Sequence, residues 1–155
     1  MSVDNQGPGR PPDTPWLAPY LTVADPERAM GWYRQVFAFE QGFVRRGRTG
    51  EIEHGELVVH DQKVMVAPAG SPGGADASPA MSGVTSPVTL FLYVPDTDAV
   101  CQRAKAAGAK VLLEPATMFW GDRICKIADP DGHLWVVATH VKDVSEEDIH
   151  QGGLA

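Results

Sequence analysis

The segment "YLTVADPERAMGWYRQVFAFE" (residues 20–40) joins a strand pattern directly to a helix pattern. Apolar and polar residues alternate up to Asp25, which is the period of a half-buried strand. Beyond it, apolar residues recur at helical spacing from Ala29 to Val36. The Asp25 side chain stands where an N-cap accepts a hydrogen bond from the first helical turn. The segment therefore predicts a strand, a cap and a helix near residues 26–37.

The same plan returns in "FLYVPDTDAVCQRAKAAGAKV" (residues 91–111). Its strand ends at Asp96, and a helix is predicted near residues 96–107. Gly108 then supplies the left-handed residue that commonly ends a helix. The chain therefore contains an internal repeat, which indicates two modules of one architecture.

Three strand patterns follow each helix, separated by short turn signals. After the first helix they are "FEQGFVRR", "EIEHGELVVH" and "KVMVAPA", and after the second "KVLLEPA", "DRICKIAD" and "LWVVATHV". Each half thus reads β-α-β-β-β, and the predicted class is α+β. Alternation places Leu17, Leu21 and Val23 against the helices, and likewise Val88, Leu90 and Leu92.

These patterns predict one domain with a tail at each end. The segment "GSPGGADASPAMSGVTSP" is too rich in Gly, Pro and Ser to hold a regular element, and it indicates a flexible linker or lid. The predicted divisions are a disordered tail 1–14, a single domain 15–142 and a C-terminal tail 143–155. Within the domain they are module 1 at 16–69, the linker at 70–87 and module 2 at 88–142.

Bulk composition excludes several classes of function. The 155-residue chain has a formal net charge of −7 and a pI near 5.1, which disfavours a nucleic-acid binder because phosphate contacts need clustered Lys and Arg. The basic residues Arg45, Arg46 and Arg48 fit a hairpin tip instead. The sequence contains no run of eighteen apolar residues, the length that would indicate a membrane span. No signal peptide is evident. The two cysteines, Cys101 and Cys125, fit no disulfide scaffold, so a cytoplasmic location is expected.

Together with the repeat, four motifs resemble the vicinal oxygen chelate superfamily, which holds glyoxalase I, extradiol dioxygenases and bleomycin-resistance proteins. They are "PYLTVADPERAMGWYRQVF", "MFWGDR", "DPDGHLW" and "ATHVKDVS", and they look like its branch named after a phosphonate-operon protein. The resemblance covers roughly residues 16–141. It implies half-open curved mixed sheets with the helices on their outer face. One fold serves many chemistries, so function has to be argued from the site.

The resemblance also implies four positions for metal ligands, and this chain lacks the usual donors there. Counting from the strand-ending aspartates and from the glycine of "DPDG", three positions fall at Ala18, Thr89 and Val136, and the fourth falls at Met65 or a neighbour within "KVMVAPA". These side chains make no site for a hard metal ion. We therefore expect neither a metal nor another cofactor.

Strand phase predicts what the cleft holds instead. Tyr20 and Thr22 share the inward face of the first strand, and Thr89, Phe91 and Tyr93 that of the fifth. Trp120, on the loop "MFWGDR", is expected to cover a ligand. Such a surface, apolar with a few hydroxyl groups, suits a small organic molecule, although the same aromatics could simply fill a closed core.

Two motifs leave alternatives open. His54 and Glu56 share one strand face and, with His140, could form a shifted site for a divalent metal ion, or a solvated polar face. In "DPDGH", Asp129 and Asp131 are interpreted as turn residues and His133 as a surface residue.

Other residues give weaker signals. Asp122 and Arg123 are expected to pair with each other. Cys125 lies in mid-strand without a clear base, so a thiol nucleophile is not expected.

The main hypothesis is a metal-free binder of a small molecule, similar to bleomycin-resistance proteins and homodimeric. The alternative is a lyase, isomerase or dioxygenase of the same superfamily that uses the shifted ligands. A third hypothesis is metal-independent acid–base catalysis by Tyr20 or His54. Whether the protein is an enzyme stays open at this point.

Overall fold

The computed structural model describes residues 9–152 and confirms the two β-α-β-β-β modules. Residues 1–8 of the predicted N-terminal tail and 153–155 of the C-terminal one lie outside the described residues. The first module comprises β1 (Tyr20–Val23), α1 (Pro26–Phe37), β2 (Glu40–Arg46), β3 (Ile52–Val59) and β4 (Gln62–Pro68). The second comprises β5 (Thr89–Tyr93), α3 (Thr97–Ala106), β6 (Lys110–Thr117), β7 (Asp122–Ala128) and β8 (Leu134–His140).

Each module forms one four-stranded mixed sheet. The strand orders are β1-β4-β3-β2 and β5-β8-β7-β6. In each sheet the first strand pairs in parallel with the last, and the other neighbours are antiparallel. Equivalent strands therefore occupy equivalent places, as the sequence repeat predicts.

Both helices begin at the predicted aspartate caps. The Asp25 carboxylate accepts a hydrogen bond from the Arg28 amide at 3.2 Å, and that of Asp96 accepts one from the Ala99 amide at 3.0 Å. These bonds satisfy donors that the first helical turn leaves unpaired. Gly108 follows α3 with φ near +91°, a conformation that glycine adopts without steric cost.

A shared core joins the two modules into one domain. Phe37 of α1 packs on Trp135 of β8, with ring centroids 4.9 Å apart. The indole of Trp32 donates a hydrogen bond to the carbonyl of Ala107 at 2.8 Å. The buried residues of both helices and both sheets form one cluster, so neither module buries its apolar face alone.

The predicted burial of alternate residues is confirmed within β1 and β5 but is wrong for the residues that precede them. Leu21 and Val23 are buried in the core, and Leu90 and Leu92 pack against it. Leu17 and Val88, also predicted to contact the helices, are 84% and 62% exposed. Because β1 begins at Tyr20 and β5 at Thr89, the alternation of a strand does not extend to these two residues.

The linker contains a regular element that the sequence reading did not predict. Residues Pro79–Ser82 form the short helix α2, capped by the buried Ser78. A further helix, α4, spans Glu146–Gly152 within the predicted C-terminal tail. Ser78 and Ser145 both bond the amide three residues onward, a local capping signal that overrides composition.

Within residues 9–152, no helix is long and apolar enough to cross a membrane.

Candidate functional site

A pocket of about 460 Å³ lies between the two modules, beneath the linker. Its walls come from β1, from Val88 and the start of β5, from the turn before β8 and from linker residues 75–87. None of its sixteen lining residues is Asp, Glu, Lys or Arg. Its volume lies in the range of small-molecule sites, which are mostly apolar with a few placed polar groups.

The linker is anchored over this pocket by specific hydrogen bonds. The Thr22 hydroxyl, on a residue only 3% exposed, accepts one from the Ala75 amide at 2.9 Å. The Ala80 amide donates another to the carbonyl of Asp131 at 2.9 Å. A side chain at Gly132 would place its Cβ 2.9 Å from the Ala80 nitrogen, so glycine permits this close approach. The linker therefore forms a fixed roof over the pocket.

The "DPDGH" segment is a turn, as predicted, and its first aspartate also organises the interior. The buried carboxylate of Asp129 accepts hydrogen bonds from the Tyr33 hydroxyl at 2.5 Å and the Trp135 indole at 3.0 Å. It also accepts bonds from the amides of Asp131 and His133, each at 3.0 Å. Donors from both modules therefore satisfy this buried charge.

His133 differs from its predicted role as a surface residue. It is half-buried, lines the pocket and lies with Nε2 2.7 Å from the carbonyl oxygen of Thr22. The turn of the second module thereby contacts the first strand of the first module. This contact joins residues far apart in sequence, so no local pattern signals it.

A second group of candidate residues lies on the face of the second sheet that points away from the helices. Phe91 and Tyr93 are 52% and 57% exposed there, with ring centroids 5.4 Å apart. Trp120 packs nearby against the small cluster that contains Val136 and Ala138. This aromatic face does not line the pocket.

Asp122 connects the aromatic face to His140. Its carboxylate accepts hydrogen bonds from the Tyr93 hydroxyl at 2.8 Å and from the Trp120 indole at 3.1 Å, and it lies 2.9 Å from Nδ1 of His140. Burial raises the pKa of Asp122, but the hydrogen bonds from these three residues outweigh it and hold that pKa below its ordinary value. The predicted pairing of Asp122 with Arg123 is wrong.

Arg123 instead donates two hydrogen bonds to Asp98, at 2.6 and 2.8 Å. Adjacent strand residues point to opposite faces of a sheet, so Arg123 faces α3 while Asp122 faces the aromatic side. Strand alternation, and not adjacency in the sequence, therefore determines which residue Arg123 pairs with.

Polar side chains form a chain of contacts on the first sheet, beginning at the pocket. The Tyr20 hydroxyl lies 3.3 Å from Nδ1 of His54. Nε2 of His54 lies 3.5 Å from Glu56, whose second carboxylate oxygen is 2.8 Å from the Lys63 ammonium. The positive charge of Lys63 therefore compensates the negative charge of Glu56.

The residues at the superfamily positions do not fit a metal ion. Ala18 and Val136 carry no donor atom, Thr89 offers a neutral hydroxyl and Met65 a soft thioether. Among residues 9–152, no three His, Cys, Asp or Glu side chains lie close enough to hold a metal. His54, Glu56 and His140, the alternative set, are therefore not grouped as a metal site either.

The structure thus separates the six predicted ligand-binding residues. Tyr20 and Thr22 line the pocket, whereas Phe91, Tyr93 and Trp120 belong to the aromatic face. Thr89 is exposed at the start of β5, beside the pocket but outside its lining.

Sequence reasoning missed several pocket residues, chiefly linker residues 84–87, Val88 and His133. The run of Gly, Pro and Ser hid the linker's role, because flexible composition gives no sign of where a segment docks. The expectation that residues 70–87 form a linker or lid was the one sign that this segment could cover a site.

Comparison with known proteins identifies relatives over most of the chain. Residues 15–137 match the family model of the Glyoxalase/Bleomycin resistance protein/Dioxygenase superfamily. The uncharacterised protein Mb0911c of Mycobacterium bovis is 38% identical over 139 residues, which cover 87% of this chain and 90% of that protein.

Two solved structures share the fold. TioX from Micromonospora sp. ML1 is 29% identical with a TM-score of 0.65, over 81% of this chain and 98% of that one. TnmS3, an antibiotic binding protein from Streptomyces sp. CB03234, is 21% identical with a TM-score of 0.56, over 79% and 93% of the two chains.

Proposed function

Since the chain belongs to the Glyoxalase/Bleomycin resistance protein/Dioxygenase superfamily, we propose that it binds a small, largely apolar organic molecule without using a metal ion. The site is the pocket beneath the linker. The observation that carries the proposal is a cavity of about 460 Å³ without a charged side chain in its lining. Transfer of apolar ligand surface from water into such a cavity is favourable in proportion to the area buried.

The pocket also has the rigidity that binding requires. Its roof is held by the Thr22–Ala75 and Ala80–Asp131 hydrogen bonds, and β1 and β5 belong to sheets that share one core. A preformed cavity spares the ligand the cost of ordering its site.

The test measures binding of N-phenyl-1-naphthylamine, an uncharged probe whose fluorescence rises in apolar surroundings. Val88→Trp introduces a large side chain at the pocket lining and is expected to weaken binding at least about 10-fold. Leu112→Trp is the matched control, since Leu112 is also an exposed aliphatic residue but lies outside the pocket. An unmodified protein that gives no saturable signal, or equal effects of the two substitutions, would contradict the proposal.

Antibiotics form a sensible second panel of compounds, because TnmS3 is an antibiotic binding protein of the same fold. With such a ligand, Tyr20→Ala reports on the pocket, and Phe91→Ala and Trp120→Ala report on the aromatic face. Truncation of an aromatic anchor in a desolvated site costs on the order of 1–4 kcal/mol. If Tyr20→Ala alone weakens binding, the ligand lies in the pocket, whereas effects of Phe91→Ala and Trp120→Ala alone would move the site to the second sheet.

A second candidate function is metal-independent acid–base catalysis in the same pocket. The favouring observation is the contact of the Tyr20 hydroxyl with Nδ1 of His54, backed by Glu56. A phenol held by an imidazole can exchange a proton with a bound molecule. Turnover that is lost in Tyr20→Phe and His54→Gln while the ligand still binds would support catalysis.

We also propose a homodimer and placement in the branch of the superfamily named after a phosphonate-operon protein. The dimer is supported by large exposed apolar side chains, at Leu17 and Val88 just before β1 and β5 and at Phe91 and Tyr93 on β5. Phe91 and Tyr93 adjoin each other, and exposed apolar surface commonly marks an interface. The branch rests on the four sequence motifs.

A further inference from the structure

Most hydroxyl and imidazole hydrogens on the pocket wall are already used inside the protein. The Thr22 hydroxyl accepts a hydrogen bond from the Ala75 amide and lies 3.5 Å from the Ala75 carbonyl, the acceptor for its own hydrogen. Nε2 of His133 lies 2.7 Å from the carbonyl of Thr22, and a carbonyl oxygen only accepts. Nε2 therefore carries a hydrogen, and in the neutral ring Nδ1 is a hydrogen-bond acceptor.

The hydroxyl hydrogen of Tyr20 is also donated within the protein, to His54. The Glu56 carboxylate, paired with Lys63, faces Nε2 of His54 and favours a hydrogen on that nitrogen. Nδ1 of His54 is then an acceptor, so the Tyr20 hydroxyl donates to it. In this arrangement the Tyr20 oxygen keeps its lone pairs as hydrogen-bond acceptors.

The serines of the linker follow the same pattern. The Ser82 hydroxyl donates to the carbonyls of Ser78 and Pro79, at 3.1 and 3.2 Å, and that of Ser86 donates to the carbonyl of Val88 at 3.0 Å. Thr85 differs: its hydroxyl makes no hydrogen bond within residues 9–152, and its side chain is exposed. The side chains of the pocket wall therefore present hydrogen-bond acceptors far more than donors.

The lack of cationic side chains in the lining disfavours anionic ligands. Neither Lys nor Arg lines the pocket, and the whole chain has a net charge of −7. A carboxylate or phosphate entering this pocket would lose its hydration without gaining a cationic partner, which is costly.

We infer that the pocket selects uncharged apolar ligands that donate a hydrogen bond, such as aryl alcohols, neutral aryl amines and indoles. The acceptors that we assign are the Tyr20 oxygen and Nδ1 of His133, since both residues line the pocket. This inference rests on the proposed function, because it names the class of ligand for the same pocket.

The test compares three ligands of one shape by calorimetry on the full chain: 2-naphthol, 2-methoxynaphthalene and 2-naphthoate. The naphthol donates a hydrogen bond, the methyl ether does not, and the naphthoate is an anion. The naphthol should bind about 3- to 10-fold more tightly than the ether, the range that one net hydrogen bond supplies. The naphthoate should bind at least about 10-fold more weakly than the naphthol.

Variants identify the acceptors. Tyr20→Phe and His133→Phe keep an aromatic ring at each position and remove the acceptor atom, so together they should reduce the preference for the naphthol over the ether to about onefold. His150→Phe is the control, since His150 is exposed on α4 and outside the pocket. If His133→Phe fails to fold through loss of its bond to Thr22, then Tyr20→Phe alone should still lower the preference.

The possible failures are distinguishable. Equal affinities for the naphthol and the ether, or tightest binding of the naphthoate, would overturn the inference and leave the proposed function standing. An unchanged preference in Tyr20→Phe and in the double variant would also overturn it. If none of the three ligands binds, both this inference and the proposed function fall.

Discussion

The hydroxyl of Tyr33 in α1 donates a hydrogen bond of 2.5 Å to the carboxylate of Asp129, which precedes β8. The two residues are 96 positions apart and belong to different modules. Burial, followed by the nearby Asp129 charge, raises the pKa of Tyr33 well above its ordinary value, so the phenol stays protonated and donates. This contact couples the first helix to the turn on which the linker docks.

Loss of this hydrogen bond should destabilise the whole domain. Tyr33→Phe is expected to lower the free energy of unfolding by about 1.5–3 kcal/mol, because the acceptor is charged and the pair is buried. Urea denaturation measures it. Tyr93→Phe is the matched control and should cost less, since Tyr93 is 57% exposed and water can replace its bond to Asp122. Equal losses in both variants would contradict a special role for the Tyr33–Asp129 bond.

His140 should titrate above its ordinary range. Hydrogen bonds to Asp143 first and to Asp122 second raise its pKa. Because the folded-state pKa is raised, the stabilisation is complete below the unfolded value of about 6.5 and is lost as the pH rises through the folded value. Asp143→Asn and Asp122→Asn should each lower the pKa measured by NMR, whereas Asp148→Asn, an exposed acid bonded to Ser145, should not. A pKa that neither of the first two substitutions lowers would contradict this account.

Both thiols should be inert in the native protein. Burial raises the pKa of the Cys125 thiol to about 12 and also raises that of Cys101. A thiol reagent such as Ellman's reagent attacks through the thiolate, so native protein at pH 8 should react slowly at both positions. Denatured protein should yield two thiols per chain, which serves as the control. Rapid reaction of either cysteine before unfolding would contradict the expectation.

The purified protein should carry well under one equivalent of Fe, Ni, Zn or Mn. Ala18, Thr89 and Val136 offer too few donors at the superfamily positions, and metal affinity depends on ligand number and geometry. A chelator should leave the melting temperature unchanged, because removal of a bound ion would otherwise lower it by mass action. Stoichiometric metal that disappears in His54→Ala or Glu56→Ala would overturn this prediction and favour the metal-dependent alternative.

Light scattering should give a mass of about twice the 16.7 kDa chain. A homodimer would cover the exposed apolar residues on β5, and closed two-fold pairing is the commonest symmetric assembly. A monomer mass throughout the micromolar range would contradict this expectation.

Local features of the fold could be predicted from the sequence. The alternation before Asp25 and Asp96, the helical spacing after them and the caps themselves depend on residues within a few positions of one another. The resemblance to the superfamily, counted from Asp25, Asp96 and Gly132, implied Ala18, Thr89 and Val136 as the ligand positions, and these residues are poor metal donors. The prediction failed at Leu17 and Val88, because alternation does not say where a strand begins.

The sequence by itself therefore determined two β-α-β-β-β modules and the bounds of their two main helices to within a residue. Only the tertiary structure decided that Tyr20 and Phe91 lie in separate places, that Arg123 pairs with Asp98, and that the linker and His133 complete a pocket with Thr22. The physical reason is the range of the interactions. Backbone periodicity and capping act over a few residues, whereas the pocket and the Tyr33–Asp129 bond arise where distant segments share one core.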